Sequence, residues 1–167
     1  MRSLAGGLLA AILLATAAFA AQAGVAAYDA CLGDGYDARI AAKFAERFDG
    51  ATCEGGCDPA LTKTVTGLVR AECREVALDD CLSTKCRLGL DGRWAADAED
   101  LRARIDAALA RLDLDALPPL KARRLSDPAS WRSATTCTGD AVICAARAKG
   151  QWLGDLERIA AELDLPL

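Results

Sequence analysis

The chain has 167 residues, 53% of them hydrophobic and 26% charged, with 24 acids against 20 bases and a formal net charge of −4. Histidine is absent, which removes Ser-His-Asp and Cys-His triads, histidine metal sites and C-x-x-C-H haem attachment. The acidic balance argues against nucleic-acid binding, and a chain of this size buries one respectable core without requiring two domains.

The N-terminus reads MRSLAGGLLAAILLATAAFAAQAG: one cation at Arg2, an apolar run from Leu4, then small residues. This is the pattern of a secretory signal peptide. Two sites fit the small-x-small rule, after Ala20 and after Ala23, and the second is preferred because Gly24 follows it and helical periodicity starts soon after. The run is nearly long enough to span a bilayer, but its Ala-rich composition and small-residue end favour cleavage over anchoring. Cys31, the first cysteine, lies well past the run and lacks the context of a lipidated cysteine. The expected organisation is a leader over 1–23 and one domain over 24–167, soluble in the periplasm or outside the cell. Loss of Arg2 makes that domain one unit more acidic than the whole chain.

Apolar residues recur at spacings of three and four throughout, which predicts an all-α fold of about five helices. A first helix is expected over Ala26 to Phe48, with Tyr28, Cys31, Ile40, Phe44 and Phe48 near one side and Gly33-Asp34-Gly35 interrupting or splitting it. Asp58 with Pro59 reads as an N-cap and first helical position. The helix that follows carries Leu61, Val65, Val69 and Cys73 every four residues, flanked by Leu68 and Val76, so Cys73 should face the core. A break is expected at Leu88-Gly-Leu-Asp-Gly92, then a helix from about Ala95 to Leu112 burying Leu101, Ile105, Ala108 and Leu112. A proline-kinked connector with about two helical turns after Pro119 follows. Asp127-Pro128 repeats the capping device, and Asp140 should cap a last helix holding Val142, Trp152, Leu156, Ile159 and Leu163.

All eight cysteines (Cys31, Cys53, Cys57, Cys73, Cys81, Cys86, Cys137 and Cys144) follow the leader, and an even count in an exported chain reads as a disulfide framework supplementing a helical core. Eight cysteines allow roughly a hundred pairings. Cys73 and Cys81 would stand about 12 Å apart on an unbroken helix, beyond the roughly 7 Å that a disulfide tolerates, so each needs another partner. Cys81 and Cys86 can pair only if the helix ends at Ser83-Thr84-Lys85. Cys137 and Cys144 flank a glycine turn and can close locally, and Cys31 can reach a cysteine of the following loop or helix.

Cys53-Glu-Gly-Gly-Cys57 carries three readings. The spacings of Cys53/Cys57 and Cys81/Cys86 resemble two zinc half-sites, but an oxidising compartment captures such thiols as disulfides. A redox centre would show C-x-x-C after a strand, and here the gap is three with no strand pattern before it. A staple is preferred, with a thiol-disulfide enzyme using Cys53 and Cys57 kept as an alternative. No cofactor, metal or catalytic residue is expected.

Two charged clusters are candidate contact surfaces. The cationic one is Lys121, Arg123 and Arg124, with Arg132 and Arg147 as possible neighbours, and it faces an acidic polymer or partner unless it simply pairs with neighbouring acids. The acidic one comprises Asp79 and Asp80 with Asp97, Glu99 and Asp100, which otherwise read as solvated helix ends.

The segment from Ser130 to Leu163, SWRSATTCTGDAVICAARAKGQWLGDLERIAAEL, resembles the ending of the LprI-type lysozyme inhibitor family, with Trp131, Cys137, Cys144, Arg158 and Ile159 in matching order. The gap from Cys144 to Arg158 is longer than that family's, and the resemblance covers only this segment. It implies a helical, disulfide-bonded, non-enzymatic envelope protein that binds another protein, and an acidic surface would suit a basic lysozyme. A structural or interaction protein of the envelope is the other reading of the same fold.

Overall fold

The computed structural model describes residues 22–48, 58–81, 83–134 and 136–167. Cys53, Cys57 and residues 1–21 of the leader expected over 1–23 lie outside the described residues. Among the described residues there are six α-helices and no strand: α1 (22–32), α2 (Tyr36–Arg47), α3 (Pro59–Asp79), α4 (Thr84–Leu109), α5 (Pro119–Ser126) and α6 (Ala141–Glu162). Short 3-10 turns at Leu114–Ala116 and Pro128–Trp131 bracket α5. The chain is an all-α bundle cross-linked by disulfides.

Local chemistry sets most boundaries. Gly35 adopts φ 77°, a left-handed conformation that costs glycine nothing, and so splits the first predicted helix into α1 and α2. Asp58 accepts from the Ala60 N–H at 2.7 Å and Pro59 occupies the first turn of α3. Asp127 and Asp140 cap the Pro128–Trp131 turn and α6 in the same way.

The expected break at Leu88–Gly92 is not there. A single helix, α4, runs from Thr84 to Leu109, starting 11 residues earlier than the predicted Ala95 and ending before Leu112. Leu90 and Trp94, each fully buried, continue the stripe of Ala98, Leu101 and Ile105 back through the glycines. Burial of that stripe outweighs the roughly 1 kcal/mol penalty of a helical glycine. The break falls instead after Asp79, the last residue of α3, and Ser83 caps α4 by accepting from the Cys86 N–H at 3.2 Å.

The core centres on Trp94, which meets Tyr28 of α1 edge-on with ring centroids 5.7 Å apart. Val65, Val69, Cys73 and Ala77 of α3 and Leu153, Leu156, Ile159 and Ala160 of α6 close around it. The α3 ladder holds for Val65, Val69 and Cys73, but Leu61 at its start is 37% exposed, as is Leu68, and Val76 is 49% exposed. Helical drift carries these three off the core face.

Three disulfides join the described residues. Cys31–Cys73 ties α1 to α3, Cys81–Cys86 clips the α3–α4 corner, and Cys137–Cys144 ties the approach to α6 onto its first turn. Cys73 and Cys81 thus have separate partners, as the helix geometry requires, and because α3 ends at Asp79, earlier than the expected Ser83–Lys85, Cys81 lies beyond the helix and reaches Cys86. Such bridges fit an oxidising compartment. Among the described residues no helix is long and apolar enough to cross a membrane.

Candidate functional site

Helices α3 and α6 lie antiparallel: Lys63 reaches the Ala161 carbonyl at one end, Arg74 meets Glu157 near the middle, and Glu75 meets Arg147 at the other end. Between them runs an open groove of about 1450 Å³. Its floor is built of small residues, among them Gly67 and Ala71 of α3 and Gly150, Gly154 and Ala161 of α6. Leu68 and Val76, both exposed, stand on the α3 wall.

Beneath the floor is a buried ionic cluster. Glu157, 3% exposed, accepts from Arg70 Nε at 2.5 Å and from Arg74 Nη1 at 2.9 Å. Burial works against the charge on Arg70, but the field and hydrogen bond of Glu157 outweigh it and hold the guanidinium above its ordinary pKa. The Tyr28 and Tyr36 hydroxyls lie in the field of the same arginines, and neither has a partner at hydrogen-bonding geometry among the described residues. Burial raises the pKa of both phenols, and the arginines offset this only in part.

Glycines admit the cluster. A Cβ at Gly154 would stand 2.7 Å from Arg74 Nη2, and one at Gly150 would stand 3.1 Å from the Trp94 ring and 3.2 Å from Arg74 Cδ. The pair, four residues apart on one face of α6, forms a notch through which Arg74 crosses to Glu157. A second buried acid, Asp155, accepts from the Ser133 N–H and the Ser133 hydroxyl, both at 2.7 Å, and pairs with Arg158. These bonds fasten the segment after Trp131 to α6.

The sequence candidates separate into different places. Asp79 lines the groove and Asp80 sits exposed just past the end of α3. Asp97 is bound by Arg93, and Asp100 lies 3.8 Å from Arg104; both line a separate small cavity of about 190 Å³ with Tyr28 and Arg70. Glu99 is exposed on α4. The five acids therefore do not form one patch. Of the cations, Arg124 lines the groove and pairs with Glu162 at 2.7 Å, Lys121 donates to the Glu162 carbonyl at 3.2 Å, and Arg123 is exposed. Arg147 lines the groove too, whereas Arg132 stacks on the Trp152 ring at 4.4 Å. Lys121 and Arg124 thus fasten α5 to the end of α6.

The residues of the C-terminal resemblance also divide. Trp131 and Ile159 are core, Cys137 and Cys144 are bridged, and Arg158 stands on the groove wall. Among the described residues no three cysteines or carboxylates converge as metal ligands. Arg70, Arg74, Asp155 and Glu157 were not singled out by sequence. Their one signal is the Gly150/Gly154 spacing inside a helix, which marks a place where something must cross close to the backbone. Comparison with protein-family models, with curated proteins and with solved structures finds no match.

Proposed function

We propose that the chain is an exported, non-enzymatic protein-binding module of the bacterial envelope, that the α3/α6 groove is its contact face, and that its partner is a basic protein, with lysozyme the one to test first. The observation that carries this reading is that two exposed apolar side chains, Leu68 and Val76, stand on the wall of an open groove, whereas the still more exposed Leu88 and Leu120 do not line it. The leader sequence and the three disulfides support export to the periplasm or beyond. Net acidity and the exposed Asp79 and Asp80 beside the groove support a basic partner, which they would steer at long range.

The experiment is a salt series of association kinetics with lysozyme, for the disulfide-intact chain and for Asp79→Lys with Asp80→Lys. Steered binding slows as salt rises, and the double variant slows it further at low salt. Absence of lysozyme binding at low salt by a folded, oxidised chain would remove lysozyme as the partner.

A further inference from the structure

We propose that the α3/α6 groove receives a helix from its partner, an amphipathic segment of roughly four to five turns with cations along the flank that meets α3 and acids along the flank that meets α5 and α6. This rests on the reading of the groove as a protein-binding face and names what enters it. The α3 wall has 21 residues, which at a rise of about 1.5 Å each gives a trough about 30 Å long. Packed helix axes lie about 8–10 Å apart depending on the side chains at the contact, the closer approach going with small facing residues. The floor meets that condition away from the Arg74 crossing: a Cβ added at Gly67 finds nothing within 4 Å, and Ala71 and Ala161 continue the small-residue surface, while the space over Gly154 is taken by Arg74. Leu68 and Val76, eight residues apart on one side of α3, would contact the apolar stripe of the incoming helix about two turns apart.

The rim charges are sorted by wall. Asp58, Glu72, Glu75 and Asp79 stand on the α3 side, and Arg124, Arg147 and Arg158 stand opposite on α5 and α6. The residues of opposite sign on each wall are all paired: Lys63 with Asp164, Glu162 with Arg124, and the buried Arg74 and Asp155 with Glu157 and Arg158. This leaves Arg147, paired only with Glu75 of the facing wall, as the cation of α6 without an acid on its own wall. Glu75 and Arg147 pair across the groove at 2.8 Å with side chains 53% and 38% exposed, and Glu72 pairs with Lys43. Exposed pairs of this kind are worth at most about 1 kcal/mol and exchange readily for an incoming partner. Asp79 has no ion pair among the described residues. A membrane surface or a polyanion would meet acids along one whole wall. An occupant with one cationic and one anionic flank satisfies both walls, and a helix presents such flanks on either side of an apolar stripe.

The test uses three helical peptides of equal length with the same leucine stripe: one with a lysine flank and a glutamate flank, one with lysine on both, and one with glutamate on both. Binding to the full disulfide-intact chain is read by fluorescence anisotropy. The mixed peptide is expected to bind about tenfold more tightly than either uniform peptide. Leu68→Asp with Val76→Asp, two exposed positions that leave the core untouched, abolishes that binding. Reversing the α3 wall with Glu72→Lys, Glu75→Lys and Asp79→Lys moves the preference to the all-glutamate peptide, and Asp79→Lys alone moves it part of the way should the triple variant fold poorly. Failure of the mixed peptide to bind the folded chain, or a preference that ignores the charge reversal, overturns the helix proposal. If lysozyme binding is nonetheless present and sensitive to Leu68→Asp, the protein-binding reading stands without the helix. Peptide binding without lysozyme binding leaves the helix and removes that partner.

Discussion

The Arg74 guanidinium occupies the space that a side chain at residue 154 would need: a Cβ there would stand 2.7 Å from Nη2. Alanine normally favours a helix interior over glycine by up to about 1 kcal/mol. Here it would push Arg74 off Glu157 and leave a buried carboxylate short of a partner, a loss of about 3–5 kcal/mol when such pairs are broken. Gly154→Ala should therefore lower the denaturation midpoint. Gly92→Ala, where a Cβ meets nothing within 4 Å, should raise it slightly. Equal effects at the two positions would refute the notch.

Glu157 compensates two arginines at once. Glu157→Gln keeps the shape but removes the charge that Arg70 and Arg74 share, and should destabilise the chain by about 3–5 kcal/mol. Replacing Arg74 by Met and Glu157 by Leu together should cost much less than the sum of the single changes. A double-mutant cycle in urea measures this, and additivity would show that the two side chains do not interact.

The bundle was legible where a single local cause sets an element. Asp58-Pro59, Gly33–Gly35, Asp127-Pro128 and Asp140 each act through their own backbone and fall where the sequence puts them. The Leu88–Gly92 break misled because two glycines are weaker than the burial of Leu90 and Trp94, a tertiary gain no window of sequence displays. The groove was illegible for a related reason. Leu68 and Val76 look like core from the α3 periodicity alone, and only the antiparallel placement of α6, with Arg74 crossing its glycines, leaves them outside. Asp79 and Arg124 were nameable as charged surface, yet their position on opposite walls of one groove required the fold.

The two tyrosines of the chain report on the buried cluster from the alkaline side. Burial raises both phenol pKa values in the folded state above the ordinary 10.0. A raised folded pKa contributes stability that is present in full below about pH 10 and is lost as pH climbs from there through the folded value. Tyrosinate absorbance should therefore lag behind that of the urea-unfolded chain, and the melting temperature should fall over the same interval. Titration of both phenols at pH 10 in the native chain would contradict their burial.

The disulfides should differ in accessibility. Cys31, Cys73, Cys81 and Cys86 are buried, whereas Cys137 and Cys144 are half-buried. Mild reductant under native conditions should open Cys137–Cys144 first, as mass mapping of alkylated cysteines would reveal. Cys73→Ala removes a bridge and packing together, and loss of a native bridge from a small secreted domain costs about 2–5 kcal/mol. Normal expression with an unchanged melting temperature would contradict the core position of Cys73.

Gly24 makes the last prediction, which concerns the start of the folded chain. It is buried against the α3–α4 clip, so close that an added Cβ would stand 2.5 Å from Cys81 Sγ and 2.6 Å from Cys86 Sγ. Cleavage after Ala23 would place a free ammonium on this residue, where burial penalises the charge. Cleavage after Ala20 would instead keep the helical, exposed Gln22 and Ala23 ahead of it, with the new amino terminus on Ala21 in sequence. A chain beginning at Ala21 should therefore melt higher than one beginning at Gly24, and the gap should narrow above about pH 8, where an amino terminus loses its charge. The sign follows because a buried ammonium has its pKa depressed in the folded state, so the penalty applies where the unfolded chain is protonated and fades as pH rises. Melting curves of the two forms across pH 6 to pH 9 decide it: identical curves would show that Gly24 tolerates a terminus, and cleavage after Ala23, which the leader pattern favours, would then cost the fold nothing.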